Sequence, residues 1–123
     1  MKWGFNMKLD KFTKSYLETA LWSSTDDNSE ALDAKYSVSD LSPEAIEQAQ
    51  REVEDFLTKA GALLDDYDDS VAVHDFWLTR NRHGAGFWDG DYTKAIGDKL
   101  TQLSHSFGEI DLYVGDNGKL YFR

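Results

Sequence analysis

The sequence predicts an α+β domain, an antiparallel sheet of about four strands covered by about three helices. Three observations point there. Residues 42–67 repeat apolar side chains at helical spacing behind a Ser-Pro start. Residues 71–79 are rich in β-branched and aromatic groups, the composition of a strand. The chain closes on alternating apolar residues around Asn117-Gly118, the strongest short hairpin signal. The predicted order is α-α-β-β-α-β-β.

Residues 10–22 read as the first helix, because Phe12, Tyr16, Leu17, Ala20 and Leu21 share one helical face. The Ser, Thr and Asp residues that follow compete for backbone hydrogen bonds and end it. Residues 24–41 form a long loop, with Leu32, Tyr36, Val38 and Leu41 as anchors to the core. A loop of that length is either functional or partly structured.

Ser42 caps the second helix and Pro43 takes its first position, where a missing N–H costs nothing. Ile46, Ala49, Val53, Phe56, Leu57, Ala60, Leu63, Leu64 and Tyr67 fall within an arc of about 120°, a core-facing stripe. Gly61 marks a bend. Residues 71–79 and 84–89 read as two strands around a turn at 80–83. Residues 91–107 form a third helix, with Tyr92, Ile96, Leu100, Leu103 and Phe107 on one face and Gly108 as its cap. Ile110, Leu112 and Val114 then lead through the 116–119 turn to Leu120 and Phe122.

A chain of 123 residues is expected to form one domain, residues 1–123, with 1–9 loosely ordered. The absence of cysteine excludes disulfides and thiolate metal sites and suits a reducing compartment. No apolar run approaches the roughly 18 residues that span a bilayer. The start, MKWGFNMKLDKF, lacks the continuous apolar core of a signal peptide. The expected location is therefore cytoplasmic.

Charge is segregated. Residues 26–69 hold fourteen acids against Lys35, Arg51 and Lys59, a net of −11, while the remaining nine acids and ten bases leave the rest at +1. Such a field repels nucleic acid and anionic membrane and attracts basic protein surfaces. The candidate partner-binding residues are Asp26, Asp27, Glu30, Asp33, Glu44, Glu47, Glu54, Asp55, Asp65, Asp66 and Asp69. Carboxylates three or four apart on a helix repeat on a scale comparable to DNA phosphates, so a DNA mimic is one form of this hypothesis. Glu47–Arg51 and Asp55–Lys59 are ordinary i, i+4 pairs that subtract from a continuous row and fit a merely solvated face. Asp65, Asp66, Asp68 and Asp69, read as a helix C-terminus, would oppose its dipole.

The stretch His74–Asp89, HDFWLTRNRHGAGFWD, resembles a block found in small uncharacterised proteins of tailed bacteriophages and prophages. Those proteins also share Ser15-Tyr16-Leu17, Ala20-Leu21-Trp22-Ser23-Ser24-Thr25-Asp26 and Asp111-Leu112-Tyr113-Val114-Gly115-Asp116. The three blocks span about residue 15 to 121, and the central one is the most specific. The resemblance implies a viral accessory protein made in the cytoplasm of a bacterial host. It carries no established reaction and hence no functional residues.

Within that block, His74, Asp75, His83 and Asp89 are the candidate catalytic groups, with a histidine as general base. Trp77, Arg80, Arg82, His83 and Trp88 make a possible second binding surface. The competing reading is a hairpin with aromatic core residues and ordinary turn polars. His83-Gly84-Ala85-Gly86 lacks the Gly-x-Ser-x-Gly elbow of an esterase, and Gly84-x-Gly86 lacks the third glycine of a dinucleotide fingerprint. Asp89-Gly90-Asp91 and the 65–69 acids do not supply a calcium loop, and His74, His83 and an Asp lack a zinc spacing. No metal or cofactor is expected. Trp22, Trp77 and Trp88 could stack bases, but the acidic field argues against direct nucleic-acid binding. The leading expectation is a non-enzymatic protein that binds a basic host or phage protein. A small ligand-binding or hydrolase-like domain built on 74–89 and a structural or assembly protein are the alternatives, and the sequence does not fix the oligomeric state.

Overall fold

The computed structural model describes residues 10–26, 28–83, 86–88 and 92–123. Helix α1 (Lys11–Ser23) starts where the Asp10 carboxylate accepts the Thr13 N–H at 2.7 Å. It buries the expected face, Tyr16, Leu17, Ala20 and Leu21, with Phe12 half-buried beside them. The long 24–41 segment is partly structured. Thr25 and Ala31 pair as an antiparallel bridge, and two short 3-10 turns follow, Leu32–Ala34 and Val38–Asp40. Its four expected anchors all reach the core, Leu32 and Leu41 fully and Tyr36 and Val38 in part.

Helix α2 (Pro43–Ala60) begins as its sequence predicts: the Ser42 hydroxyl accepts the Ala45 N–H at 3.0 Å. Ala45, Ala49, Val53, Phe56 and Ala60 form its buried stripe. Gly61 does more than bend the helix. Its φ of +49° ends α2, and a 3-10 turn, Gly61–Leu64, continues the chain.

The expected strand at 71–79 is a helix, α3 (Asp69–Arg80). Two physical causes override the β-type composition. Asp68 caps the helix, accepting the Ser70 N–H at 2.7 Å and the Val71 N–H at 3.4 Å. Ala72, Val73, Phe76, Trp77 and Arg80 then recur at helical spacing, all buried. Helix α3 is also covered on most of its circumference, so its apolar residues do not thin into a stripe. The expected second strand at 84–89 is absent where it is described: residues 86–88 form a bend and turn, while 84, 85 and 89 lie outside the described residues. Phe87 packs against Phe56 there, and its N–H donates to the Thr79 hydroxyl at 3.2 Å.

Helix α4 (Lys94–His105) is shorter than the expected 91–107 and is capped by Thr93, which accepts the Ile96 N–H at 3.3 Å. Strands β1 (Leu112–Val114) and β2 (Leu120–Phe122) pair antiparallel, Tyr113 opposite Tyr121. The hairpin loop holds one residue more than a two-residue turn. Gly118 donates its N–H to Gly115 O at 3.0 Å and adopts φ +81°, and Gly115 bonds Lys119 at 2.7 Å. Among the described residues the sheet has these two strands, not four. The class is α+β, with helices supplying most of the core.

Phe76 sits at the centre of that core. It stacks on Phe56 at 4.2 Å and on Tyr16 at 5.5 Å, and meets Phe107 edge-on at 4.9 Å. These rings join α1, α2, α3 and the segment after α4 into one packed unit. The expected loose order of 1–9 falls outside the described residues.

Candidate functional site

Burial on α3 divides the residues of the 74–89 block. Trp77 and Arg80, expected on a second binding surface, are each 1% exposed; Arg80 lies inside the fold, and Trp77 is reached only as part of the lining of the cleft described below. Trp77 packs edge-on against Tyr16 at 5.4 Å, and its indole N–H donates to the Ser23 hydroxyl at 2.7 Å. Arg80 spends its guanidinium inside the fold. Nε donates to Gly108 O at 2.8 Å and Nη2 to Phe107 O at 2.9 Å. Nη1 reaches the Glu52 carboxylate at 2.7 Å and the Tyr16 hydroxyl at 3.1 Å. The side chain thus ties α1, α2 and the end of α4 to α3, and a buried charge needs such partners. Burial pushes the Tyr16 phenol pKa up, and the nearby guanidinium offsets only part of that rise. Gly108, expected to cap α4, lies past the cap residue Ser106, with φ +78°. Arg82 and Trp88 do remain at the surface, Arg82 beside Glu109 at 3.5 Å.

Of the four candidate catalytic groups, the three that are described do not gather. His74 Nδ1 lies 2.8 Å from the Thr19 hydroxyl, and the ring sits against Trp22 at 6.0 Å, facing α1. Asp75, one residue on, accepts the Tyr92 hydroxyl at 2.9 Å. His83 is elsewhere, in a cleft described next, and Asp89 lies outside the described residues.

That cleft, about 690 Å³, is formed by the C-terminal ends of α1 and α3 and by β1 with the residues before it. Residues 23–26 form one wall, 109–114 the other, and Leu32, Trp77, Asn81, His83 and Arg123 complete it. The end of α3 places two of these groups. The Arg82 N–H bonds Thr79 O at 3.1 Å and the His83 N–H bonds Leu78 O at 2.9 Å, the paired bonds of a left-handed helix ending. Arg82 adopts φ +58°, a conformation usually left to glycine. On the first wall, the Asp26 carboxylate accepts the Asn28 N–H at 2.8 Å and the Glu30 N–H at 3.0 Å. The Glu30 and Asn28 amides hold its pKa below the usual carboxylate range.

The acidic segment separates into roles. Glu30, Glu47 and Asp55 pair with Lys35, Arg51 and Lys59 at 3.3, 3.6 and 3.3 Å. Glu52 belongs to Arg80. Asp40 and Asp68 accept backbone N–H groups that start a 3-10 turn and α3. Asp33, Glu44, Glu54, Asp65, Asp66 and Asp69 take part in no ion pair among the described residues. Asp27 lies outside them. The expected dipole conflict at 65–69 disappears for Asp68 and Asp69, which stand at the positive end of α3.

Set against protein-family models, curated proteins and solved structures, the chain matches none. Among the described residues, no helix is long and apolar enough to cross a membrane, and no three His, Asp or Glu side chains are grouped to hold a metal. Sequence reasoning missed the cleft. The alternating 110–114 strand was visible, but which of its two edges β2 leaves open depends on tertiary placement.

Proposed function

We propose that this chain is a phage-encoded accessory protein that acts in the bacterial cytoplasm by binding a basic host or phage protein. Its docking surface is the outward face of α2 with the acidic corner between α2 and α3. The supporting observation is the uncompensated charge there. The three cations of the 26–69 segment are already engaged by Glu30, Glu47 and Asp55, which leaves Glu44, Glu54, Asp65 and Asp66 exposed and unpaired among the described residues. On α2, Glu44, Glu47, Glu54 and Asp55 lie opposite the buried stripe at about 100° per residue. Arg51 stands among them, so the pattern favours a docking surface for scattered lysines and arginines over a strict copy of a phosphate row. The separation of His74 and Asp75 from His83 supports binding over catalysis.

The test is affinity capture from bacterial lysate with the natural chain and with a Glu44→Gln, Glu54→Gln, Asp65→Asn, Asp66→Asn chain, at low and high salt. The proposal expects a partner that the natural chain recovers at low salt and the neutralised chain loses. Equal recovery by both at both salt concentrations refutes it.

A further inference from the structure

The C-terminal hairpin leaves one edge open, and that edge borders the cleft. In an antiparallel pair, residues alternate between those whose backbone groups face the partner strand and those whose groups face away. Asp111 and Arg123 exchange both hydrogen bonds, at 2.9 and 3.0 Å, and the Gly115 N–H bonds Lys119 O at 2.7 Å. Asp111, Tyr113 and Gly115 therefore direct their backbone groups toward β2, and Ile110, Leu112 and Val114 direct theirs outward. Asn81 Oδ1 accepts the outward Ile110 N–H at 2.8 Å, so a side chain stands in for the first rung of a neighbouring strand. Beyond it, no group among the described residues bonds the N–H or C=O of Leu112 or Val114. The outer edge of β2 is occupied instead: Leu120 O accepts the Ser42 N–H at 2.9 Å, and Leu120 bridges Leu41.

The opposite wall has matching chemistry. Leu32 bonds Ser24 and Asp26 bonds Glu30, both at 2.9 Å, which turns the Thr25 amide and carbonyl away from Ala31. Thr25 lines the cleft. Asp26, Asp111 and Glu109 line it too, Glu109 also meeting the exposed Arg82 at 3.5 Å, and the lining holds one arginine, Arg123, whose guanidinium lies 4.3 Å from the Tyr113 ring centre. From Ile110 to Val114 the edge runs about 13 Å at roughly 3.3 Å per residue. The cleft volume of about 690 Å³ lies within the roughly 300–1,000 Å³ range of binding clefts.

We propose that this cleft receives an extended, basic segment of a partner protein, which adds to the outer edge of β1 as a third strand. Leu112 and Val114 supply the backbone bonds, and Asp26, Glu109 and Asp111 select lysine or arginine on the incoming chain. Strand addition of this kind draws affinity from main-chain bonds and specificity from alternate side chains. No residue of α2 lines the cleft, so the inference stands apart from the acidic α2 face.

A displayed library of random octapeptides, panned against the purified full chain, is the probe. The expected outcome is enrichment of Lys- and Arg-containing extended peptides. A synthetic copy of one enriched peptide then slows hydrogen exchange at the Leu112 and Val114 amides. Its alternately N-methylated form, unable to donate, binds about tenfold or more weakly, as loss of one or two backbone bonds implies. Val114→Pro, which removes an outward N–H and no hairpin bond, weakens the natural peptide similarly, while Glu44→Gln/Glu54→Gln leaves it unchanged. The proposal is overturned by no enrichment, by equal binding of the N-methylated peptide, or by protection confined to other amides. A dimer of the chain that Val114→Pro dissolves also overturns it, since the occupant is then a second copy.

Discussion

Glu52 and Glu54 stand two residues apart on α2, yet one belongs to the interior and the other to solvent. The Glu52 side chain is 24% exposed and bonds the buried Arg80 at 2.7 Å. Glu54 is exposed and has no ion pair among the described residues. Their neighbours Glu47 and Asp55 do have partners, at 3.6 and 3.3 Å, but on the solvent-exposed surface. Pairs of that kind contribute about 0.3–0.5 kcal/mol, because solvent screens them and ordering two long side chains opposes them. The contrast teaches that the acidic segment is not one surface. Identical carboxylates become structural or available according to the helix face that carries them.

The largest expected effect breaks the interior half of that contrast. Arg80→Met removes the donors that satisfy Glu52, the Tyr16 hydroxyl and the carbonyls of Phe107 and Gly108. Stranding one partner of a buried pair costs about 3–5 kcal/mol, and the low end applies because Glu52 still touches water. Urea unfolding measures it. Adding Glu52→Leu to Arg80→Met recovers part of the loss, since the stranded carboxylate is then gone. A loss under about 1 kcal/mol in the single variant would mean that Arg80 does not hold the helices together.

The next effect is read by pH. Burial raises the Tyr16 phenol above its unfolded value, so the folded chain keeps that proton longer than the unfolded chain. The associated stability is fully present below the unfolded pKa of about 10 and is lost as pH rises toward the higher folded value. The slope approaches about 1.4 kcal/mol per pH unit for one such group. Urea midpoints above pH 10 therefore fall more steeply for the natural chain than for Tyr16→Phe. Parallel slopes would mean that the phenol is not protected by the fold.

How much of this was legible depends on where each residue's partner lies in sequence. The cap of α2 was readable, because Ser42 bonds an N–H group three residues ahead, and Asp10 caps α1 by the same local bond, a cap that sequence reasoning missed. The core faces of both helices followed from spacing alone. Helix α3 was misread because Val, Phe, Trp and Thr favour strands when their surroundings are ignored. Its own spacing, Ala72, Val73, Phe76, Trp77 and Arg80, matches the pattern that identified α1, and Asp68 supplies the same type of cap. Arg80 was placed at the surface because its acceptors, Glu52, Phe107 and Gly108, are 27 or 28 residues away in the chain. No local pattern announces such a pairing. The cleft was hidden for the same reason, since 23–26 and 109–114 meet only in the folded chain.

The smallest effect on stability sharpens the comparison most. Glu54→Gln replaces an exposed, unpaired carboxylate with an isosteric amide, and substitutions of that kind stay within about 0.5 kcal/mol of the natural chain. Glu52→Gln, at the other half of the contrast, weakens a charge-assisted bond to Arg80, worth about 1.5–3 kcal/mol. Unfolding and partner capture, measured on both variants, separate the two roles. Glu54→Gln leaves the urea midpoint in place and lowers recovery of a basic partner at low salt. Glu52→Gln lowers the midpoint and leaves recovery unchanged wherever the chain is still folded. If both substitutions move the same observable, the two sides of α2 are coupled and the division between structural and available carboxylates does not hold.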